Sequence, residues 1–183
     1  ISKKQKINSI LIFHGCKTKI KYYNYFWIIN INFLVDNSIL KKIEIFCNFR
    51  ERCESEVVHR LKKENISAND AKEYLKKLKN DKFYCDTRYT TAFVRSKFNL
   101  SKWGKTKIRL KLLQNKIEDS IIKEEIDKIE HDIYAETIKE LVEKKLRRIK
   151  NRSDFEKKQL VSRYLYSKGY EPEKFISIIN KKF

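Results

Sequence analysis

From about residue 37 to the end of the chain, apolar residues recur at intervals of three and four, the period of an amphipathic helix. In the first part of this region they are Val57, Leu61, Ile66, Ala71, Leu75 and Leu78. A shift of 51 residues gives Ile108, Leu112, Ile117, Ile122, Ile126 and Ile129, and a further shift of 53 gives Val161, Leu165, Tyr170, Phe175 and Ile179. Self-similarity at a fixed period of this size indicates a tandem array of helical units.

Within each unit the spacing predicts two helices joined by a turn. Ser67 suits the N-cap of the helix after the first turn, and Pro172 suits the first position of the corresponding helix in the third unit. Gly169 suits the left-handed residue that ends the preceding helix. Ser153 and Glu156 form a capping box that opens that helix. The turn chemistry therefore agrees with the apolar pattern.

Three further amphipathic stretches supply a third helix for each unit, at residues 38–49, after Asp86 as an N-cap, and at 133–149. Only three Gly and one Pro occur, which argues against an all-β fold with many tight turns. We predict an all-α fold of three tandem three-helix units at residues 37–80, 81–130 and 131–183. We expect this helical repeat array to be elongated and slightly curved.

Residues 1–36 form an atypical leader. The apolar run at residues 22–35 is shorter than the roughly 20 residues of a spanning helix, and Asn24, Asn30 and Asn32 interrupt it. The leader is interpreted as an accessory strand or helix on the core, a disordered segment, or translation upstream of the true start, with the last two favoured. We expect no membrane association.

The formal net charge of +19 suggests a polyanionic partner, although abundant Lys, Ile, Asn, Phe and Tyr also fit an A/T-biased genome. The charge is concentrated in two stretches without Asp or Glu. The first contains Arg95, Lys97, Lys102, Lys105, Lys107, Arg109 and Lys111, and the second contains Lys144, Lys145, Arg147, Arg148, Lys150 and Arg152. Such stretches favour salt-sensitive binding to phosphates or to an acidic protein surface. A solvated, Lys-rich surface is the alternative.

Trp103 stands just before the helix that carries Lys105 and Arg109, where its ring can pack inward, the favoured interpretation, or stack on a base. Lys105 and Arg109 are four residues apart and form one basic row beside the apolar face. Reversal of both charges is expected to weaken partner binding without loss of helix.

The sequence offers no pattern typical of a catalytic or metal site. The four Cys and three His residues lack zinc-ligand spacing, and no Gly-rich phosphate loop is present. The carboxylates Glu124, Glu125 and Glu143 are expected on solvated helical faces. We therefore predict no catalytic residues, no metal and no cofactor.

Four segments resemble the RecX family. Arg52-Cys-Glu-Ser-Glu-Val57 is similar to a pattern of the first unit, and Phe83-Tyr-Cys-Asp-Thr-Arg-Tyr-Thr-Thr-Ala-Phe-Val-Arg95 to the opening of the second. Trp103-Gly-Lys-Thr-Lys-Ile-Arg109 looks like the Gly-x-x-Arg/Lys-Ile-Arg segment in the form we associate with Bacteroidetes. Arg163-Tyr-Leu-Tyr-Ser-Lys-Gly-Tyr170 resembles the end of the third unit. Lys116 replaces the usual Gly and Thr90 the usual Ala.

This resemblance implies a cytoplasmic, non-enzymatic regulator of the RecA recombinase in DNA repair, homologous recombination and the SOS response. Such proteins bind the RecA–DNA filament, usually inhibit its ATPase, strand-exchange and co-protease activities, and can bind single- and double-stranded DNA. We expect a monomer. Arg163 and Lys168 join the two basic stretches and Trp103 as candidate binding residues. The alternative is a stand-alone helical nucleic-acid-binding module.

Overall fold

The computed structural model describes residues 36–183, and within this range the regular structure consists of nine α-helices. These are α1 (Asn37–Asn48), α2 (Glu54–Lys63), α3 (Ala68–Asn80), α4 (Asp86–Asn99), α5 (Lys105–Gln114), α6 (Asp119–Asp127), α7 (His131–Leu146), α8 (Asp154–Lys168) and α9 (Pro172–Asn180). The predicted all-α class and tandem helical array are confirmed. The interpretation of the leader lies, except for Asp36, outside the described residues.

Neighbouring helices pack in sets of three. Helix α2 contacts α1 and α3, helices α4, α5 and α6 contact one another, and so do α7, α8 and α9. We name these sets the first, second and third helical groups. The first group has its own apolar core, whereas the second and third groups share one continuous core. The unit boundaries at residues 37–80, 81–130 and 131–183 stay a prediction.

The repeated apolar positions are the core of each group. All of them are buried except Ile66 and Leu75, which are partly buried. The second helix of each group ends in the same turn, in which the apolar residue after the turn donates its N–H to a leucine carbonyl five residues earlier. The pairs are Ile66 to Leu61, Ile117 to Leu112 and Tyr170 to Leu165, at 3.1–3.2 Å. The sequence repeat is therefore a repeat of one helix C-cap motif.

This turn requires a left-handed residue in each group. The residue is Asn65 in the first group (φ 60°), Lys116 in the second (φ 60°) and Gly169 in the third (φ 86°). Glycine adopts this conformation without steric cost, and Asn tolerates it better than Lys. Lys116, which stands where the RecX pattern has Gly, therefore carries a strained backbone.

The predicted caps are confirmed with one correction. Ser67 accepts from the Asp70 N–H, Pro172 opens α9, and Ser153 with Glu156 forms the capping box of α8. The prediction that Asp86 caps its own helix is wrong. Asp86 is instead the first residue of α4, and its Oδ1 accepts the Glu54 N–H of α2 at 3.0 Å. The reason is tertiary, because α2 lacks a capping side chain of its own.

Backbone contact joins the second and third groups. The Gly104 N–H donates to the Lys168 carbonyl at 2.8 Å, and the Thr106 N–H donates to the Gly169 carbonyl at 3.2 Å. A Cβ at Gly104 would come within 2.5 Å of Tyr170 N, so only glycine fits this contact. Tyr170 adds a hydrogen bond from its hydroxyl to the Lys102 carbonyl at 3.3 Å.

Tyr134 of α7 reinforces this junction from its buried position. Its hydroxyl donates to Glu171 Oε2 at 2.5 Å and accepts from the Lys105 N–H at 3.2 Å. Burial, together with the hydrogen bond to Glu171, raises the pKa of Tyr134 far above its usual range. Tyr134 thus stays neutral and caps the N-terminus of α5.

Polar side chains join the first and second groups. Arg88 pairs with Glu51 at 3.1 Å, and Tyr89 reaches Glu56 at 3.5 Å. Within residues 36–183, no backbone-to-backbone hydrogen bond connects these two groups. Cys53 is the apolar link, because it is fully buried in the core of the second group.

Candidate nucleic-acid and protein interface

The first basic stretch spans α4, the turn that follows it and α5. Arg95 and Lys97 lie on α4, Lys102 and Trp103 in the following turn, and Lys105, Lys107, Arg109 and Lys111 on α5. Arg95 is exposed and lines two adjoining surface cavities. Lys102 lies 3.7 Å from Glu140, which ties the turn to the third group.

The two cations of the predicted basic row have intramolecular partners. Lys105 donates its ammonium to the Ile129 carbonyl at 3.5 Å and lies over the Tyr134 ring at 5.3 Å. The Arg109 guanidinium pairs with Asp119 at 2.8 Å. Both side chains therefore also stabilise the fold, and a charge reversal at either position changes more than the surface charge.

Trp103 is partly buried and packs edge-on against Phe93, with ring centroids 6.4 Å apart. Two ammonium groups lie over its ring, Lys97 at 5.1 Å and Lys107 at 4.9 Å. Lys107 also donates to the Ser167 carbonyl of α8 at 3.0 Å. The favoured interpretation of Trp103 as a packing residue agrees with this geometry, and the cations around it make the surrounding surface basic.

The second basic stretch forms the end of α7 and the turn to α8. Lys144, Arg147, Arg148 and Lys150 are exposed, whereas Lys145 lies over the Tyr164 ring at 5.4 Å. Arg152 pairs with Glu156 at 3.0 Å. Among the described residues, the four exposed cations take part in no ion pair within 4 Å. Their charges are therefore available to a partner.

The two remaining candidates lie on α8. Arg163 is exposed, while Lys168 donates to the Ser101 carbonyl at 3.0 Å and lies over the Tyr164 ring at 5.9 Å. Lys168 therefore belongs to the junction of the second and third groups. Arg163 has no such role in the described contacts.

A groove between the first and second groups was not foreseen from the sequence. It has a volume of about 590 Å³, and we name it the aromatic groove. Its lining contains Arg50, Glu51, Glu56, Tyr89, Ala92, Phe93, Ser96, Lys97, Trp103, Lys111 and Asn115. Three of these, Lys97, Trp103 and Lys111, were candidates from the sequence. The i, i+4 spacing of Tyr89 and Phe93 indicated one helix face but could not indicate the groove.

Acidic groups in the aromatic groove are neutralised by arginines. Glu56 accepts from Arg50 at 2.8 Å and from Arg52 at 3.4 Å, and Glu51 pairs with Arg88. Burial raises the pKa of Tyr89 to about 12, and the neighbouring Glu56 carboxylate adds to this shift. The groove therefore presents neutral polar groups, aromatic rings and lysine ammoniums at neutral pH.

The carboxylates expected on solvated faces behave differently from one another. Glu125 is buried with 4% exposure and bonds to Lys128, so the prediction of a solvated face is wrong for this residue. The reason is that α6 turns this position toward α4. Glu124 and Glu143 have exposed side chains.

Residues 36–183 contain neither a metal-binding cluster nor a membrane-spanning helix. No cluster of three or more His, Cys, Asp or Glu residues has the geometry to hold a metal ion. None of the helices in this range combines the length and apolar character needed to cross a membrane.

Two protein-family models match the helices of the second and third groups. A family model described as "RecX, second three-helix domain" matches residues 86–125, and one described as "RecX, third three-helix domain" matches residues 132–174. These ranges correspond to the second and third helical groups, which share one core.

Similar curated proteins carry the same name. A "Regulatory protein RecX" of Limosilactobacillus reuteri (strain DSM 20016) is 29% identical over 125 residues, or 68% of this chain and 47% of that protein. Another, of Oceanobacillus iheyensis, is 26% identical over 126 residues, or 69% of this chain and 46% of its own length. The chain spans about half the length of these relatives.

Solved structures agree in fold. A crystal structure of "regulatory protein RecX" superposes with a TM-score of 0.72 at 26% identity, covering 79% of this chain and 72% of that one. A second, "RecX from Lactobacillus salivarius", has a TM-score of 0.69 at 23% identity and covers 79% and 94% of the two chains. The latter identity supports the fold alone.

Proposed function

Because the chain belongs to the RecX family, we propose that it binds RecA and the RecA–DNA filament and modulates the filament, usually as an inhibitor. The affected activities are ATP hydrolysis, strand exchange and co-protease function. The observation that carries this proposal is the match of both RecX domain patterns to the helices that bear the basic stretches. The protein acts as a non-enzymatic monomer in the cytoplasm, where it meets RecA and DNA.

The exposed cations at the end of α7 are the best supported contact surface. Lys144, Arg147, Arg148 and Lys150 have no acidic partner in the described part of the chain, so binding to a partner breaks no internal ion pair. Their position at a helix C-terminus already favours positive charge. Multiple weak contacts of this kind gain avidity on a partner with repeated binding sites.

The test is the ATPase of RecA on single-stranded DNA at moderate salt, with this protein added up to one copy per RecA. We expect inhibition that saturates near stoichiometric amounts. An Arg148→Glu/Lys150→Glu variant is expected to need about ten-fold more protein, since two attractive contacts become repulsive. Lys72→Glu/Lys76→Glu, which reverses two exposed charges on α3, is the matched control. Unchanged ATPase with the unmodified protein contradicts the proposal.

The aromatic groove favours a second candidate, a nucleic-acid-binding module that acts without RecA. Rings and lysines in one groove are the combination used to bind nucleic-acid strands. This candidate predicts DNA binding with no change in RecA ATPase at any ratio. Measurement of both quantities on the same preparation separates the two functions.

A further inference from the structure

We infer that the aromatic groove holds a single strand of nucleic acid, with a base stacked in the place of a lysine over Trp103. This inference deepens the proposed function, because it names the strand that this regulator contacts and the groove that contacts it. It stands on the geometry of Phe93, Lys97, Trp103 and Lys111.

The rings give the groove an apolar surface that can accept a base. Phe93 and Trp103 are both partly exposed and meet edge to face, so their free surfaces open onto the same groove. Tyr89 extends the aromatic row, with its ring stacked on Phe93 at 5.8 Å, but is itself buried and supports the others. The cavity of about 590 Å³ lies within the size range of ordinary ligand sites, roughly 300–1,000 Å³.

Lysines over the rings supply the phosphate contacts. The Lys97 ammonium lies 5.5 Å from the Phe93 centroid and 5.1 Å from that of Trp103. A base stacks on an aromatic ring more strongly than an exposed ammonium binds to it. An incoming base therefore displaces the flexible lysine, and the released ammonium pairs with the adjoining phosphate. Lys111, whose ammonium contacts Gln114, is free to bind the next phosphate.

A second cavity next to the aromatic groove extends the surface along which a strand can lie. The aromatic groove shares Glu51, Ala92 and Ser96 with a second cavity of about 720 Å³ on the outer face of α4. Arg88 and Arg95 line that second cavity. Arg88 pairs with Glu51, so a strand that leaves Trp103 binds the exposed guanidinium of Arg95, a group that is well suited to phosphate.

The base requirement favours a single strand over a duplex and over an acidic peptide. Bases in a duplex are already stacked on each other, so their faces are unavailable to Phe93 and Trp103. A run of carboxylates would satisfy the lysines but leave the rings without a partner. The three ligands therefore differ in what they do to the fluorescence of Trp103.

The experiment uses the full chain with Trp27→Phe, which leaves Trp103 as the only tryptophan. Oligothymidylate of 15 nucleotides is titrated while Trp103 emission and the anisotropy of a labelled oligomer are recorded. We expect quenching of Trp103 in parallel with binding. A duplex of the same length and poly-glutamate are expected to cause little quenching. Binding without quenching, or equal quenching by either competitor, overturns the inference.

A pair of charge reversals locates the strand. Lys111→Glu is expected to weaken oligothymidylate binding by about ten-fold or more, and Lys72→Glu, an equal charge change at an exposed position of α3, by less than about two-fold. Circular dichroism confirms that both variants are folded. Equal losses in the two variants overturn the inference.

The same variants separate this inference from the proposed function. If Lys111→Glu loses the strand but still inhibits RecA ATPase, the groove holds the strand and filament regulation uses another surface. If the unmodified protein quenches with oligothymidylate yet leaves RecA ATPase unchanged, the proposed function fails and the groove stands.

Discussion

The two junctions between helical groups are built from equivalent positions of the repeat but from different chemistry. Gly104 and Gly169 let two backbones touch between the second and third groups. One repeat earlier, the corresponding residues are Cys53 and Lys116, both of which carry side chains. The first junction consequently lacks backbone hydrogen bonds between groups and relies on side chains, among them Arg88 with Glu51.

At both junctions, a helix that has no capping side chain at its own N-terminus receives a hydrogen-bond acceptor from another group. The N-terminus of α2 receives its acceptor from Asp86, and that of α5 receives its acceptor from Tyr134. In each case the acceptor belongs to the next group along the chain. The exposed carboxylate interaction is screened by salt, whereas the buried phenol is not. We therefore expect the second and third groups to unfold as one unit and the first junction to open more easily.

The largest expected effect breaks the glycine contact. Gly104→Ala forces the backbones of α5 and the α8–α9 turn apart, with loss of two hydrogen bonds and local overpacking. We expect the free energy of unfolding to fall by about 3 kcal/mol, as measured by urea denaturation. Ser167→Ala, a change at an exposed position in the last turn of α8, is the control. A loss under about 1 kcal/mol would show that the junction adjusts.

Removal of the Tyr134 hydroxyl tests the buried cap of the same junction. Tyr134→Phe keeps the ring but leaves Glu171 and the Lys105 N–H without this partner. We expect a loss of about 2 kcal/mol in the free energy of unfolding. Tyr166→Phe, at a residue that is 69% exposed, is expected to be neutral. If Tyr134→Phe and Tyr166→Phe lower the free energy of unfolding equally, burial of the Tyr134 hydroxyl does not explain its contribution.

The corresponding change in the first junction is Asp86→Ala. Loss of its carboxylate leaves the Glu54 N–H uncapped, at a cost of about 1 kcal/mol, and faster hydrogen exchange is expected in the first turn of α2. Asp86→Asn retains an acceptor oxygen and is expected to restore most of the protection. If alanine and asparagine behave alike, charge rather than capping holds this junction.

The smallest effect is a gain in stability at the strained residue of the second group. Lys116→Gly supplies the residue that the third group already has at this position, and relief of the left-handed strain is expected to add about 0.5–1 kcal/mol to the free energy of unfolding. Lys123→Gly, inside α6, is expected to lose about 1 kcal/mol. A loss in both variants would mean that the turn at Lys116 carries no strain.

Much of the fold followed from the sequence because its determinants are local. Residues that form a helix C-cap and its apolar contact lie within six positions of each other, so Leu165, Gly169 and Tyr170 predict their turn without knowledge of the rest. The capping box of Ser153 and Glu156 is equally local. Lys97 and Lys111 were candidates because of the basic stretch that contains them, and Trp103 because of its place just before a helix, with inward packing of its ring the favoured interpretation.

The partners of these side chains could not be predicted in the same way. Asp86 is a residue type that suits an N-cap, yet its carboxylate caps α2, because α2 has no capping side chain of its own and lies beside it. The sequence predicts one basic row of Lys105 and Arg109. In the fold, the Lys105 ammonium lies over the Tyr134 ring and the Arg109 guanidinium pairs with Asp119. The sequence predicts a solvated Glu125, whereas the packing of α6 buries this side chain.

By itself, the sequence determined the helices, the local caps at Ser67, Ser153 and Gly169, and the repeat that sets the core, since each depends on residues a few positions apart. Tertiary structure decided which groups share a core, which glycines touch, and where Phe93 and Trp103 meet the lysines of one groove. The physical reason is distance along the chain: Gly104 and Gly169 are 65 residues apart, and only the folded chain brings their backbones into contact.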